Sequence, residues 1–248
     1  MTEIISIINQ KGGVGKSTIA QAVGQGLNEI YNKKVLMVDL DAQCNLSYAL
    51  GAEINKKNIF NVINGDCTIK DAIQHLNTID FIAGSTFMTV LNLDTPNLLK
   101  KRITNIKKIY DFIIIDTPPS LSKITYNSLT TSDSIIIPAL PDIFSIQGIN
   151  QLYSTINSVK MNDNKLLKVK GILLTKYNRR TTLNQNVAEQ LEETAKKYGT
   201  KLFATKIREA VAVREAQIST KSIFKYAPKE KVTQDFKQLL EEVIENGK

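Results

Sequence analysis

The chain has 248 residues, 42% of them apolar and 23% charged, an ordinary globular balance that excludes disordered, collagen-like and disulfide-scaffold chains. That length lies near the limit at which one hydrophobic core still grows, so a single domain over 1–248 is expected. The formal net charge is +8 and unevenly placed: residues 1–150 hold 13 basic and 13 acidic side chains, residues 151–248 hold 19 and 11, a surplus that favours a polyanionic partner.

Short β-branched runs recur along the chain with helical stretches between them. Ile4 to Ile8 precedes a glycine-rich loop and a helical pattern over Ser17 to Tyr31; Val35 to Val38 follows, and then a weakly patterned region, about Gly51 to Asn97, that contains the run Ile79 to Ala83. Asn97 to Ile109 reads as a helix, Phe112 to Ile115 and Ser134 to Ile137 as strands, Ile146 to Val159 as a helix, Val169 to Leu174 as a strand and Leu183 to Tyr198 as a helix. The strand runs are apolar at consecutive positions, the pattern of strands buried on both faces. Crossovers of that length suit parallel pairing. The expected fold is therefore a doubly wound, mostly parallel α/β sheet with helices on both faces, whose ligands bind beyond the carboxyl ends of the strands. Near the end, Val232, Phe236, Leu239, Leu240, Val243 and Ile244 have helical spacing, while Glu241, Glu242 and Glu245 give the segment an acidic polar face. An anionic lipid surface would repel that face, so the stripe is expected to pack on the sheet rather than on a membrane.

The first strand runs into Asn9-Gln10-Lys11-Gly12-Gly13-Val14-Gly15-Lys16-Ser17-Thr18. Glycines at 12, 13 and 15 let backbone N–H groups turn toward phosphate oxygens, the helix N-terminus adds a favourable dipole, Lys16 can reach the β and γ phosphates, and Ser17 can ligate Mg²⁺. The strict pattern would carry glycine at position 10; Gln10 stands there, and an additional lysine, Lys11, follows. Two further strands end in carboxylates, Val35 to Val38 in Asp39-Leu40-Asp41 and Phe112 to Ile115 in Asp116, which delivers acidic groups to the ligand edge of a parallel sheet. Phosphoryl transfer needs one carboxylate at the Mg²⁺ shell and another to orient water. On spacing alone each of the three could instead be a helix cap or a solvated turn.

Lys11-Gly12-Gly13-Val14-Gly15-Lys16-Ser17, Asp39-Leu40-Asp41-Ala42-Gln43 and Ile115-Asp116-Thr117-Pro118-Pro119-Ser120 together resemble the deviant Walker A family of P-loop ATPases, and most of all the ParA/Soj partition ATPases. The likeness runs through nearly the whole chain, including Asn127-Ser128-Leu129, Gly171 to Thr175 and Glu215-Ala216. It implies slow hydrolysis of ATP with Mg²⁺ in plasmid or chromosome partition. The phosphates would lie on Lys11, Gly12, Gly13, Val14, Gly15, Lys16, Ser17 and Thr18, and the metal would be supported by Ser17 and, through water, Asp116. Lys16 would grip phosphate in its own subunit, Lys11 would reach a partner's nucleotide across an ATP-sandwiched homodimer, and Asp41 would position the hydrolytic water. A lysine in trans supplies the charge that an arginine finger supplies elsewhere. Family members commonly carry Ile-Pro-Arg near the adenine; the corresponding run here, Lys206-Ile207-Arg208-Glu209-Ala210-Val211, has no proline, and the implied base contacts are Thr175, Ile207 and Arg208.

Between Lys160 and Lys231 stand 17 basic and 7 acidic residues, enough to attract a phosphate backbone without base reading, or else simply to form a solvated face. The resemblance implies nonspecific DNA binding by the ATP-bound dimer, with Arg180 at a family contact position; Arg179, Arg214 and Lys221 are further candidates, and a second family arginine falls on Ala212. It also implies a ParB-like centromere-binding adaptor that stimulates hydrolysis, and a cytoplasmic, nucleoid-associated location. A MinD-like membrane-associated positioning ATPase is the alternative. No separate N-terminal DNA-binding domain, secretory leader or membrane-spanning run is read from the sequence. Cys44 and Cys67 suggest neither a disulfide framework nor a four-ligand metal site, and Cys44 reads as a small buried hydrophobe. His75, the sole histidine, reads as structural or solvated in a helical stretch.

Overall fold

The computed structural model describes residues 2–77, 79–91, 93 and 95–245. In chain order the elements are β1 (Glu3–Ile7), α1 (Lys16–Glu29), β2 (Val35–Asp39), α2 (Asn45–Leu50), α3 (Ile59–Asn64), β3 (Ile73–Leu76), β4 (Ile79–Ile82), α4 (Leu98–Thr104), β5 (Phe112–Asp116), α5 (Lys123–Thr131), β6 (Ser134–Ala139), α6 (Ile143–Asn162), β7 (Lys168–Leu174), α7 (Thr182–Lys197), α8 (Val211–Ile218), α9 (Ile223–Tyr226) and α10 (Lys231–Glu245). Seven strands form one sheet in the order β3-β4-β2-β5-β1-β6-β7, all parallel except β3, which runs antiparallel to β4.

The alternation of a pleated strand sorts the apolar runs between two faces. Ile5, Ile7, Met37, Ile114 and Ile136 pack beneath α1 and α10, whereas Ile4, Leu36, Val38, Ile113 and Ile115 meet α3 and α4 on the opposite face. Ile135, Ile137, Ile172 and Leu174 continue that second face under α6 and α7. The stripe of α10 lies in the first core: Val232, Phe236, Leu239, Leu240 and Val243 are all buried. Helix α1 approaches α10 so closely that a Cβ on Gly26 would stand 2.3 Å from Leu240 Cδ1, so a larger residue there would have to displace the buried Leu240 side chain. No helix among the described residues is long and apolar enough to cross a membrane.

Two expectations need correction. His75 is in a strand, β3, not in a helix: it pairs in register with Asp80 of β4, its Nδ1 lies 2.5 Å from the Asp80 carboxylate, and Asn77, at φ 52, turns the chain between the two strands. The helix expected over Asn97 to Ile109 stops at Thr104, and a separate short turn covers Lys107–Ile109. There Ile106 donates to Ile103 O and Ile109 to Ile106 O, the tighter three-residue pattern. Three-residue spacing keeps both Ile103 and Ile106 buried.

Candidate functional site

Parallel pairing sets the strand ends side by side. Asp116 is in register with Ile7 on one side and Asp39 on the other, so the last residues of β1, β2 and β5 meet where the glycine-rich loop begins. The loop turns back on Gly13 (φ 74) and Gly15 (φ 87), left-handed conformations that a side chain would strain. Gly15 then opens α1 without a side-chain cap, and the first residues of the helix, Lys16, Ser17 and Thr18, line the cavity. Asn9 holds the loop from beneath: its amide donates to Pro138 O at 2.6 Å and its Oδ1 accepts the Lys11 N–H at 2.9 Å. Gln10, standing where the strict pattern has glycine, donates to Gln151 Oε1 of α6 at 2.6 Å.

A cavity of about 780 Å³ extends from this loop. Of the sequence-derived candidates, Gly12, Gly13, Gly15, Lys16, Ser17 and Thr18 line one end together with Asp41. Thr175, Ile207 and Arg208 line it as well, Arg214 of α8 stands at the same cavity, and Val14 is buried behind the loop with its carbonyl accepting the Thr175 hydroxyl. Asn45, Tyr48, Val213, Gln217 and Phe236 also line it and were not expected from the sequence. Of these, Gln217 donates to the Thr18 hydroxyl and to Gln21, tying α8 to α1.

The charged groups at the loop end are mostly buried. Burial lowers the Lys16 ammonium below its usual range, partly offset by Asp116 and Asp41. Asp39 is pushed up to about 6 by burial, against the Ser47 hydroxyl and the backbone N–H groups of Asp41 and Ser47 that it accepts. Burial, and then the neighbouring Asp39, hold Asp116 well above the usual carboxylate range, although Ser17 and Lys16 favour its charged form. Neither Asp116 oxygen has a well-aligned hydrogen-bond partner, while the Ser17 hydroxyl is close enough to act on it. Two orphaned acceptors beside a serine hydroxyl suit a hydrated divalent cation. Among the described residues no group of three or more His, Cys, Asp or Glu side chains could hold a metal, so such a cation would draw its ligands mainly from water and phosphate, as Mg²⁺ does. Cys44 is buried, with its thiol pushed up to about 11 by burial and the nearby Asp39 and Asp41, which disfavours the reactive thiolate.

Lys11 is directed elsewhere. Its ammonium is 2.5 Å from the Asp142 carboxylate and 5.9 Å from the centre of the Phe144 ring. Asp142 caps α6 through the Ser145 N–H; burial would raise this carboxyl, but Lys11 and Ser145 hold it below its usual range. The Pro141-Asp142 pair before a helical run was the available sequence signal for that cap. Arg179 and Arg180 are exposed on the segment between β7 and α7, Arg214 is exposed on α8, and Lys221 is exposed beyond it. None of the four is in an ion pair among the described residues, whereas Lys170, Lys196, Arg208 and Lys225 of the basic region are paired with Glu3, Glu192, Asp235 and Glu29.

Comparison with known proteins agrees with this geometry. The AAA-domain family matches residues 2–169. The chain is 35% identical to the sporulation initiation inhibitor protein Soj of Bacillus subtilis over 100% of both chains. It superposes on the septum site-determining protein MinD of Pyrococcus horikoshii complexed with Mg-ADP, with a TM-score of 0.82 and 26% identity over 98% of this chain and 96% of that one. It is also similar to cobyrinic acid a,c-diamide synthase from Mycobacterium smegmatis with bound ATP analogue and magnesium, TM-score 0.86 and 26% identity over 100% and 96% of the two chains. A seven-stranded doubly wound sheet, the double-lysine phosphate loop and full-length identity to Soj converge on one assignment: the chain belongs to the Soj/ParA family of P-loop ATPases.

Proposed function

We propose that this chain is a partition ATPase whose single domain, 1–248, binds Mg-ATP, closes into a homodimer, holds nonspecific DNA in that state and releases it on hydrolysis. The observation that carries the reading is the division of labour between two loop lysines: Lys16 is buried at the cavity with Asp41 and Asp116 nearby, while Lys11 faces away from its own cavity on the α6 side. Backbone N–H groups of residues 12–18 and the Lys16 ammonium bind the triphosphate. Ser17 and Asp116 hold the cation's water shell, and Asp41 orients the attacking water. Mg²⁺, when bound, would supply charge neutralisation to the triphosphate. Lys11, on exchanging Asp142 for the partner's triphosphate, couples nucleotide occupancy to pairing. The exposed Arg179, Arg180, Arg214 and Lys221 offer cations to a DNA backbone, and a ParB-like adaptor stimulates turnover in the nucleoid-associated state.

A MinD-like membrane role has less support, because the apolar stripe of α10 is buried in the core and its polar face carries Glu241, Glu242 and Glu245. DNA co-sedimentation with ATP, with ADP and without nucleotide tests the proposal, with liposomes as the second arm. Retention on DNA with ATP alone supports it; nucleotide-independent DNA binding, or ATP-dependent pelleting with liposomes instead, overturns it.

A further inference from the structure

The far end of the cavity is built differently from the phosphate end. Residues 204–210 are an irregular segment between the strap beside β7 and the start of α8, and Ile207, Arg208, Glu209 and Ala210 of it line the cavity. No proline stiffens this stretch, so its shape must come from contacts. Some of these run to β7 and its neighbourhood: Ile207 donates to Leu174 O at 2.9 Å and its carbonyl accepts the Tyr177 N–H at 3.0 Å. The rest come from two carboxylates of α10 placed seven residues, or two helical turns, apart on one face. Glu242 accepts the Ala204 and Thr205 N–H groups at 3.1 and 2.8 Å. Asp235 accepts the Arg208 N–H at 3.2 Å and grips the Arg208 side chain at both ends of its fork, Nε at 2.6 Å and Nη2 at 2.7 Å.

Asp235 is itself 5% exposed, and its neighbour Phe236 lines the cavity. One carboxylate thus fixes a backbone donor and a guanidinium of the same residue, in a fork geometry that is both charge-assisted and directional. Around it the cavity is lined by the apolar side chains of Ile207, Ala210, Val213 and Phe236, a surface for a flat heterocycle, interleaved with the polar Arg208, Glu209, Arg214 and Gln217.

We infer that Asp235 is a positioning residue for nucleobase recognition: by clamping Arg208 it holds the segment 206–210 in the shape that receives the base. On this inference the base is met by the held backbone and apolar wall, and the guanidinium serves as a strut. The inference rests on the nucleotide-binding reading above and adds to it a specificity element supplied by the C-terminal helix. Its consequence is separable from phosphate binding, because Asp235 does not itself line the cavity and reaches it only through Arg208.

The test compares wild type, Asp235→Asn, Asp235→Glu and Arg208→Ala for binding, with Mg²⁺ present, of ATP, GTP and inorganic tripolyphosphate by calorimetry. Asp235→Asn is expected to weaken ATP about fivefold or more, to narrow the ATP-over-GTP preference, and to leave tripolyphosphate affinity as in wild type. Asp235→Glu should recover part of the loss. Arg208→Ala, whose side chain is 41% exposed and is therefore a milder change for folding, should give the same pattern, and the double variant Asp235→Asn with Arg208→Ala should be no worse than either alone. Equal losses of ATP and tripolyphosphate, additive losses in the double variant, or unchanged ATP affinity in both single variants would each overturn the inference. Failure of the wild-type chain to bind ATP at all would overturn the nucleotide-binding reading and this inference with it; wild-type binding with indifferent variants overturns this inference alone.

Discussion

The two ends of the cavity are held by different physics. At the phosphate end the wall is the chain's own turn: left-handed glycines, the first N–H groups of α1 and a lysine whose ammonium form is disfavoured by burial and favoured by Asp116 and Asp41. At the far end the wall is borrowed, a segment pinned by carboxylates 27 and 37 residues further along the sequence on α10. The first end tolerates little because each group is both scaffold and ligand. The second separates the two tasks, so the residues that shape it need not touch the ligand. A charge deleted at the first should abolish function, and one deleted at the second should shift preference.

Substitutions can break or sharpen that contrast. The largest effect is expected from Asp41→Ala, which should lower single-turnover ATP hydrolysis by about 10²- to 10⁴-fold while ATP is still bound; hydrolysis at the wild-type rate would remove Asp41 from the reaction and leave the phosphate end with scaffold alone. Lys16→Ala leaves the triphosphate without its buried cation and should weaken ATP by about 2–5 kcal/mol, roughly 30-fold upward, a loss that calorimetry reads directly. If that variant bound ATP normally, the two ends would not differ as described. Arg180→Ala lies outside both ends and serves as the contrast: ATP binding should stay, and the log–log salt dependence of DNA affinity should flatten by about one. A salt titration indistinguishable from wild type would clear Arg180.

The smallest effect is one of stability. Asp39 and Asp116 face each other in register and are both raised by burial, Asp39 to about 6. A carboxyl whose folded value is raised stabilises the fold fully below its unfolded value and loses that contribution as pH rises through the folded value. The nucleotide-free chain should accordingly gain thermal stability as pH falls from about 8 through the Asp39 value toward 5. Asp116→Asn should flatten the profile and raise Tm at pH 8 by a few degrees, about 1 kcal/mol, while the Mg²⁺-dependent gain in ATP affinity disappears. A steeper profile in the variant, or an intact Mg²⁺ effect, would mean that Asp116 is not the group facing the cation.

These contrasts also explain what could be read in advance. The glycine-rich loop lies in ten consecutive residues, so strand, loop and helix order were enough to expect Lys16 and Ser17 together, and both line the cavity; order alone left Asp39, Asp41 and Asp116 open, and only the resemblance singled out Asp41 and Asp116. The sheet was legible for the same reason, because apolar runs buried on both faces leave little ambiguity. The short antiparallel β3 was not: Ile73-Gln74-His75-Leu76 does not alternate, and its pairing depends on the Asn77 turn and on β4. Asp142 and Asp235 were missed because each looks like an ordinary helix-end or helix-surface acid until the chain is folded around it. The basic surplus was visible as a count, but the division between paired cations such as Lys170 and unpaired ones such as Arg180 is a tertiary fact.

The margins of the sheet carry a last consequence. On one side the outermost strand, β3, is four residues long and reversed; on the other, a strap at Lys201–Phe203 covers β7, with Ile172 donating to Lys201 O and accepting from the Phe203 N–H, and the Phe203 ring lies so near Gly171 that a Cβ there would stand 2.7 Å from it. Neither margin offers a long row of open backbone groups for a stranger to zip onto. Among the described residues the sheet therefore gives a second copy little to pair with, edge against edge.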